Sequence, residues 1–157
     1  MPEIGQAAPA FSVLDANGET VRLSDFAGRP VVLYFYPKDH TSGCTTEACD
    51  FRDLHPDFAA LDVEVLGVSR DSVGSHRKFA DKLGLPFRLL ADPDETLCRA
   101  YDVIREKVMC GRKCLGIERS TFLLDGQGVV RALWRKVNVK GHAEMVLSEV
   151  RALSKGA

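Results

Sequence analysis

Apolar and polar positions along the first forty residues predict a β-hairpin and then a central strand. The run Val31–Tyr36 is apolar at every position and is closed by Pro37, a pattern typical of a strand covered on both faces. Upstream, the dipeptide Asn17-Gly18 separates the stretches Phe11–Leu14 and Val21–Leu23. Because Asn-Gly favours the positive φ angles of a tight turn, these stretches are predicted to pair as an N-terminal hairpin.

Helical spacing begins just after this strand. From Gly43 to about Leu61 the apolar residues recur at intervals of three and four, which predicts a helix with one core-facing stripe. A second buried strand is predicted over 63–68, followed by a helix that opens at Asp71-Ser72 and closes near Gly84.

The remaining part of the chain continues the alternation of strands and helices. An extended segment over 86–90, a short helix over 95–101 and a hairpin around Asp125–Gly128 precede a final amphipathic helix that runs through Leu153. The predicted fold class is α/β with mixed strand pairing in three layers, and the predicted organisation is one domain over residues 1–157.

Composition and charge narrow the function classes. The 157 residues are 45% hydrophobic and 27% charged, enough to bury one core. The 21 basic and 22 acidic residues are mixed along the sequence and give a net charge of -1, which argues against nucleic-acid and membrane-surface partners. Residues 1–6 do not resemble the start of a signal peptide, and no apolar run reaches ~18 residues, so a cytoplasmic location is predicted.

The five cysteines suggest chemistry rather than a disulfide framework, because an odd, irregularly spaced set leaves at least one thiol free. Cys44 is the most informative of them. It follows a buried strand and a short loop and falls in the first turn of the predicted helix. Unpaired N–H groups and the positive end of the helix dipole favour the reactive thiolate there. A buried, inert cysteine is the alternative.

The motif Pro37-x-x-x-Thr41-x-x-Cys44, with Cys49 five residues further on, resembles the active site of the peroxiredoxins, in the bacterioferritin-comigratory-protein or peroxiredoxin Q branch. The similarity extends over nearly the whole chain, through the segments 35–39, 67–72, 75–76, 78–79, 85–87, 119–123 and 141–142. It implies a thioredoxin-like three-layer fold with a central mixed sheet and an N-terminal β-hairpin. It also implies reduction of hydrogen peroxide and organic hydroperoxides with thioredoxin as the usual reductant, and because this branch is often monomeric, a monomer is predicted rather than a dimer. No cofactor or metal is predicted.

The resemblance also assigns roles to individual residues. Cys44 corresponds to the nucleophile that attacks the peroxide, and Cys49 to the thiol that resolves its sulfenic acid as a disulfide. Pro37 corresponds to a lid that limits water access, Thr41 to a hydrogen-bonding group at the peroxide, and Arg119 to the cation beside the sulfur. The sequence departs from the branch at Ser42, where proline is common.

Two of these assignments have a plainer alternative. Thr41 could be a helix N-cap, and Arg119 could form a surface ion pair with Glu118 or another carboxylate. The four histidines have no metal-ligand spacing and are predicted to be structural or solvated, namely His40, His55, His76 and His142.

Two other function classes also stay open. A thioredoxin-like disulfide reductase normally needs Cys-x-x-Cys, and a non-enzymatic thiol sensor or metal-binding module would not need the peroxide-positioning groups.

The segment Cys110–Cys114 is unexpected for the branch, which commonly has aromatic residues at these two cysteine positions. Two reduced thiols are the first interpretation. A hairpin carrying an auxiliary disulfide is the second, and a metal site completed by Cys98 is a third. Cys98 itself is predicted to serve packing.

Overall fold

The computed structural model describes residues 2–109 and 111–155 and contains nine strands and four α-helices in these ranges. The strands are β1 Ser12–Asp15, β2 Thr20–Arg22, β3 Val31–Phe35, β4 Glu64–Ser69, β5 Arg88–Ala91, β6 Ile104–Met109, β7 Arg112–Ile117, β8 Ser120–Leu124 and β9 Val130–Trp134. The helices are α1 Ser42–Ala60, α2 Val73–Leu83, α3 Thr96–Ala100 and α4 His142–Lys155, and a 3-10 helix spans Leu23–Phe26.

Seven strands form a mixed sheet in the order β2-β1-β5-β4-β3-β8-β9. Strands β3, β4 and β5 are parallel, whereas the other neighbours in the sheet pair antiparallel. Tyr34 on β3 lies opposite Gly67 on β4. A Cβ at Gly67 would lie 2.8 Å from the Tyr34 ring, so glycine leaves the room that this buried tyrosine needs.

The sheet lies between two layers, which confirms the predicted three-layer α/β architecture. All five residues of β3 are buried, because alternate side chains of a strand point to opposite faces. Val32 and Tyr34 pack in one cluster with side chains of α1, α2 and α4. Leu33 and Phe35 pack in a second cluster with α3 and the 3-10 helix.

Both predicted hairpins and the predicted helix ends are confirmed. Strands β1 and β2 pair antiparallel around Asn17-Gly18, as β8 and β9 do around residues 125–129. Ser72 caps α2 by accepting a hydrogen bond from the Ser75 N–H at 3.2 Å. Gly84 ends that helix with a φ of 62°, a left-handed conformation that glycine adopts without steric cost.

The antiparallel pair β6-β7 is the main feature that the periodicity did not predict. The hairpin was only one interpretation of the segment 110–114, and β6 was not foreseen at all. The pair forms a separate two-stranded sheet, in which β7 exposes four of its six residues and the described side chains of β6 are half-buried or exposed. Among the described residues, no helix is long and apolar enough to cross a membrane.

Candidate active site

Cys44 lies where the central strand passes into the longest helix. β3 ends at Phe35 and α1 begins at Ser42, so Cys44 is the third residue of the helix and is 2% exposed. The N–H groups of a first helical turn have no carbonyl partner within the helix. Together with the helix dipole they provide positive electrostatic potential at the Cys44 sulfur.

A guanidinium group contacts this sulfur. Arg119 lies between β7 and β8, and its Nη2 is 3.4 Å from Cys44 Sγ. Its Nη1 donates to Glu47 Oε1 at 2.5 Å. The alternative of a surface ion pair with Glu118 is therefore wrong, since Glu118 lies 3.5 Å from Arg105 and the Arg119 side chain is only 15% exposed.

Glu47 is a member of the site that the sequence reasoning missed. It is 1% exposed, and its Oε2 has no hydrogen-bond partner in the described part of the chain. Burial raises the pKa of Glu47 to about 7, against the opposing effect of the Arg119 charge. Glu47 is three residues after Cys44, a spacing that brings two side chains to one face of a helix, and this signal could have revealed it.

The structure places Thr41 and Pro37 on the loop that leads to Cys44. Thr41 occupies the N-cap position of α1, as the plainer alternative predicted. Its hydroxyl makes no capping hydrogen bond, however, so the predicted capping role is wrong. The hydroxyl donates instead to Lys38 O at 2.8 Å, and no hydrogen bond joins it to Cys44 within residues 2–109 and 111–155. Pro37 is half-buried directly after Tyr36.

Cys49 lies in the same helix, half-buried and with a free thiol. Residues five apart in a regular helix are about 140° apart around the axis, with Cα atoms roughly 8 to 9 Å apart. A disulfide normally needs Cα atoms closer than ~7 Å. Cys44 and Cys49 therefore cannot bond while this part of α1 is helical.

The other two described cysteines, Cys98 and Cys114, have different surroundings from Cys44 and Cys49. Cys98 is fully buried in the cluster on the opposite face of the sheet, as its predicted packing role requires. Cys114 is exposed on β7, opposite Lys107. The described residues therefore do not support the alternative of a metal site completed by Cys98, because Cys98 is in the core and Cys114 is on the surface. Cys110 lies outside the described residues, so its pairing with Cys114 stays a prediction.

The buried histidines take part in internal hydrogen bonds. His142 Nε2 lies 2.8 Å from the Thr121 hydroxyl, and burial with the nearby Arg119 charge lowers the pKa of His142 to about 4. His76 offers ligand atoms within 4.8 Å of those of Asp39 and Asp71, the candidate metal-binding group found among the described residues. These atoms are engaged in hydrogen bonds with one another and with neighbouring side chains, which leaves a cation little to coordinate.

Comparison with known proteins adds family evidence to this geometry. Residues 4–133 match the model of the AhpC/TSA family. Peroxiredoxin Bcp of Bacillus subtilis (strain 168) is 52% identical over 152 residues, which is 97% of this chain and 97% of that protein. A solved structure of the Xanthomonas campestris bacterioferritin comigratory protein, studied for alkyl peroxide reduction activity, is 51% identical with a TM-score of 0.88 and covers 92% of each chain. The structure of a Xylella fastidiosa PrxQ mutant has a TM-score of 0.93 at 42% identity, with 98% of each chain covered.

Proposed function

As a member of the AhpC/TSA family, in the bacterioferritin-comigratory-protein branch of the peroxiredoxins, the chain is a thiol peroxidase, and we propose that Cys44 is its nucleophile. The contact between Arg119 and the Cys44 sulfur carries this proposal. Among the described cysteines, Cys44 alone combines a helix N-terminus with a hydrogen bond from a cation. No observation at this site favours a disulfide reductase or a non-enzymatic thiol sensor.

In the first step, the Cys44 thiolate attacks the terminal oxygen of a hydroperoxide. A sulfur–oxygen bond forms as the O–O bond breaks, sulfur is oxidised to a sulfenic acid, and the departing oxygen leaves as water or an alcohol after it takes up a proton. Complete ionisation of an ordinary thiol raises the reactive population only roughly 30-fold at neutral pH. Most of the acceleration must therefore come from alignment of the peroxide and stabilisation of the departing charge.

Arg119 and Thr41 are proposed to supply that alignment. The guanidinium is held by Glu47 on one side and lies against the sulfur on the other, so it can stabilise negative charge that moves from sulfur to the departing oxygen. The Thr41 hydroxyl uses its proton on Lys38 O. Its lone pairs stay able to accept the O–H of a peroxide.

Pro37 is proposed to restrict water at the site. Its ring follows β3, is half-buried and opens the loop that leads to Thr41. A proline has no N–H and a fixed φ, so it can cover the approach to Cys44 with an apolar ring and offers water no donor there. We expect this to restrict the access of bulk water to the Cys44 sulfur while leaving room for a peroxide.

In the second step, we propose that the Cys49 thiol condenses with the Cys44 sulfenic acid, forming a disulfide and releasing one water. Because the two residues cannot bond within a helix, residues 43–50 must unwind first and refold after reduction. Unwinding removes Cys44 and Ala48 from the core. The peroxide step and the resolution step therefore require different conformations of one segment.

A dithiol protein of the thioredoxin type is proposed to reduce this disulfide and return both cysteines to thiols. The proposed substrates are hydrogen peroxide and alkyl hydroperoxides, supported by the activity studied in the Xanthomonas campestris relative. A cytoplasmic location fits an enzyme that depends on a reducing partner. A monomer also stays a prediction, for which sedimentation equilibrium is the measurement.

Stopped-flow mixing of reduced protein with hydrogen peroxide, with and without thioredoxin and its reductase, tests the cycle. We expect fast peroxide consumption, turnover only with the reductant, and a Cys44–Cys49 disulfide in peptide maps of the oxidised protein. Amides of residues 43–50 should be protected from hydrogen exchange in the reduced protein and exposed in the oxidised one. The triple variant Cys98→Ser, Cys110→Ser, Cys114→Ser is the matched control and should keep full turnover. Loss of recycling in that variant would assign resolution to one of those three cysteines instead of Cys49.

A further inference from the structure

Asp39, two residues before Thr41, is the most heavily hydrogen-bonded side chain of the active-site loop. Its carboxylate is fully buried. It accepts from Tyr36 Oη at 2.6 Å, from Ser75 Oγ at 2.9 Å and from His76 Nδ1 at 2.7 Å. Burial acts to raise the pKa of Asp39, but the hydrogen bond and charge of His76, with the Tyr36 and Ser75 hydroxyls, lower it overall.

These bonds tie the loop to α2 and, through His76, to β5. Ser75 and His76 lie in the first turns of α2, and the Nε2 of His76 lies 2.9 Å from Leu90 O on β5. Both ring nitrogens of His76 therefore face acceptor oxygens. The Asp39 N–H donates to the Asp71 carboxylate at 2.9 Å, so side chain and backbone of one loop residue are both held.

The next residue explains why such holding is needed. His40 has a φ of 64°, a left-handed conformation that costs a side-chain-bearing residue free energy unless its surroundings enforce it. Its ring packs edge-on against Phe79 of α2, with centroids 5.1 Å apart. The loop thus keeps an unfavourable backbone conformation between two contacts with α2, immediately before Thr41.

We propose that Asp39 and His76 are positioning residues for the peroxide reaction. Their buried pair fixes the loop 37–41 on α2 and thereby places the Thr41 hydroxyl and the first turn of α1 for an incoming peroxide. The inference rests on the proposed roles of Cys44 and Thr41. Neither Asp39 nor His76 touches the reacting atoms, and both act through the loop.

The variant Asp39→Asn tests this with two reactions of the same sulfur. Reaction with peroxide needs an aligned substrate, whereas alkylation by iodoacetamide needs only an accessible thiolate. We expect the second-order rate constant with hydrogen peroxide to fall about 10-fold to 100-fold in Asp39→Asn. Alkylation of Cys44, followed by peptide-resolved mass spectrometry, should stay equal or become faster because the loosened loop exposes the sulfur.

Ser72→Ala is the matched control, since it removes the N-cap of the same helix without touching Asp39. Both of its rate constants should stay within about twofold of wild type. Tyr36→Phe removes one of the three donors to Asp39 and serves if Asp39→Asn does not fold. It should show the same divergence at about threefold to tenfold.

The inference is overturned if peroxide reactivity is unchanged in the variant that folds. It is also overturned if both rate constants fall in parallel, because that pattern means general loss of the folded state. A wild-type protein that does not react with peroxide would contradict the proposed function itself, and the two failures are therefore distinguishable.

Discussion

Cys44 and Cys98 are two buried cysteines in the same local position of two different helices. Cys44 is the third residue of α1 and Cys98 the third residue of α3. Their exposed fractions are 2% and 0%. A rule based only on burial and the helix N-terminus would give the two thiols similar reactivity.

The charged neighbours separate them. Cys44 Sγ receives a hydrogen bond from Arg119, whereas Cys98 lies beside Asp92. The Asp92 carboxylate accepts hydrogen bonds from the Leu97 and Cys98 N–H groups at 3.1 and 2.7 Å. Its negative charge thereby occupies the positive end of the α3 helix dipole. Burial, together with Asp92, raises the pKa of the Cys98 thiol well above its ordinary value. The two thiols are therefore expected to differ in reactivity despite their similar positions in a helix.

The largest expected effect compares serine at the two positions. Cys44→Ser should abolish the peroxide reaction, because an alcohol has no accessible anion at neutral pH, while Cys98→Ser should keep the wild-type rate constant. Stopped-flow peroxide consumption measures both. Circular dichroism checks that each variant is folded, and retention of more than a few per cent of activity in Cys44→Ser would remove this residue from its role.

Removing the cation should bring the reactivity of Cys44 closer to that of Cys98. Arg119→Met keeps much of the side-chain length but loses the guanidinium, and the second-order rate constant with peroxide should fall about 100-fold to 1,000-fold. Arg105→Met is the control, since Arg105 pairs with Asp102 and Glu118 away from the sulfur. Equal rate constants for both variants would show that the cation does not distinguish the two thiols.

The sequence was sufficient for features that depend on near neighbours along the chain. The position of Cys44 in a first helical turn followed from the apolar run of β3 and the helical spacing of α1, because burial of one face dictates both patterns. The pairing of Arg119 with Glu47 was not accessible in this way. The two residues are 72 positions apart, and no periodicity links the start of a helix to the residue before a distant strand.

Strands β6 and β7 were not predicted for a different reason. They pair mainly with each other, so few of their residues alternate between a core and solvent. Val108 and Leu115 are 70% and 51% exposed, and charged residues lie between them. A strand without a buried face leaves little apolar pattern to read.

A smaller effect is expected when the loop hydroxyl is removed. Thr41→Val keeps the side-chain shape but cannot hydrogen-bond a peroxide, and the rate constant should fall about 10-fold to 100-fold. Thr46→Val is the control, because it removes a hydroxyl that bonds Ser42 O in the same first turns of α1. If the two valine variants slow the reaction equally, helix stability rather than peroxide alignment explains the loss.

The last expected effect is on stability rather than on rate, and it concerns Glu47, the carboxylate near Cys44 that is the counterpart of Asp92 near Cys98. Glu47 is held by Arg119 rather than by helix N–H groups, and burial raises its pKa to about 7 from an ordinary 4.5. Folded protein thus binds more protons at this group than unfolded protein between those pH values, so its stabilising contribution is complete below about 4.5 and is lost as the pH rises through about 7.

Glu47→Gln isolates this contribution, because glutamine can still accept from Arg119 but does not titrate. Measured by urea unfolding of the reduced proteins, wild type should lose on the order of 2 to 3 kcal/mol of stability relative to Glu47→Gln between about pH 5 and pH 8. His142, whose pKa is lowered to about 4, changes stability in the opposite direction, but it is present in both proteins and largely cancels in the difference. A pH-independent difference would mean that Glu47 is ionised throughout this range, and that Arg119 offsets its burial fully.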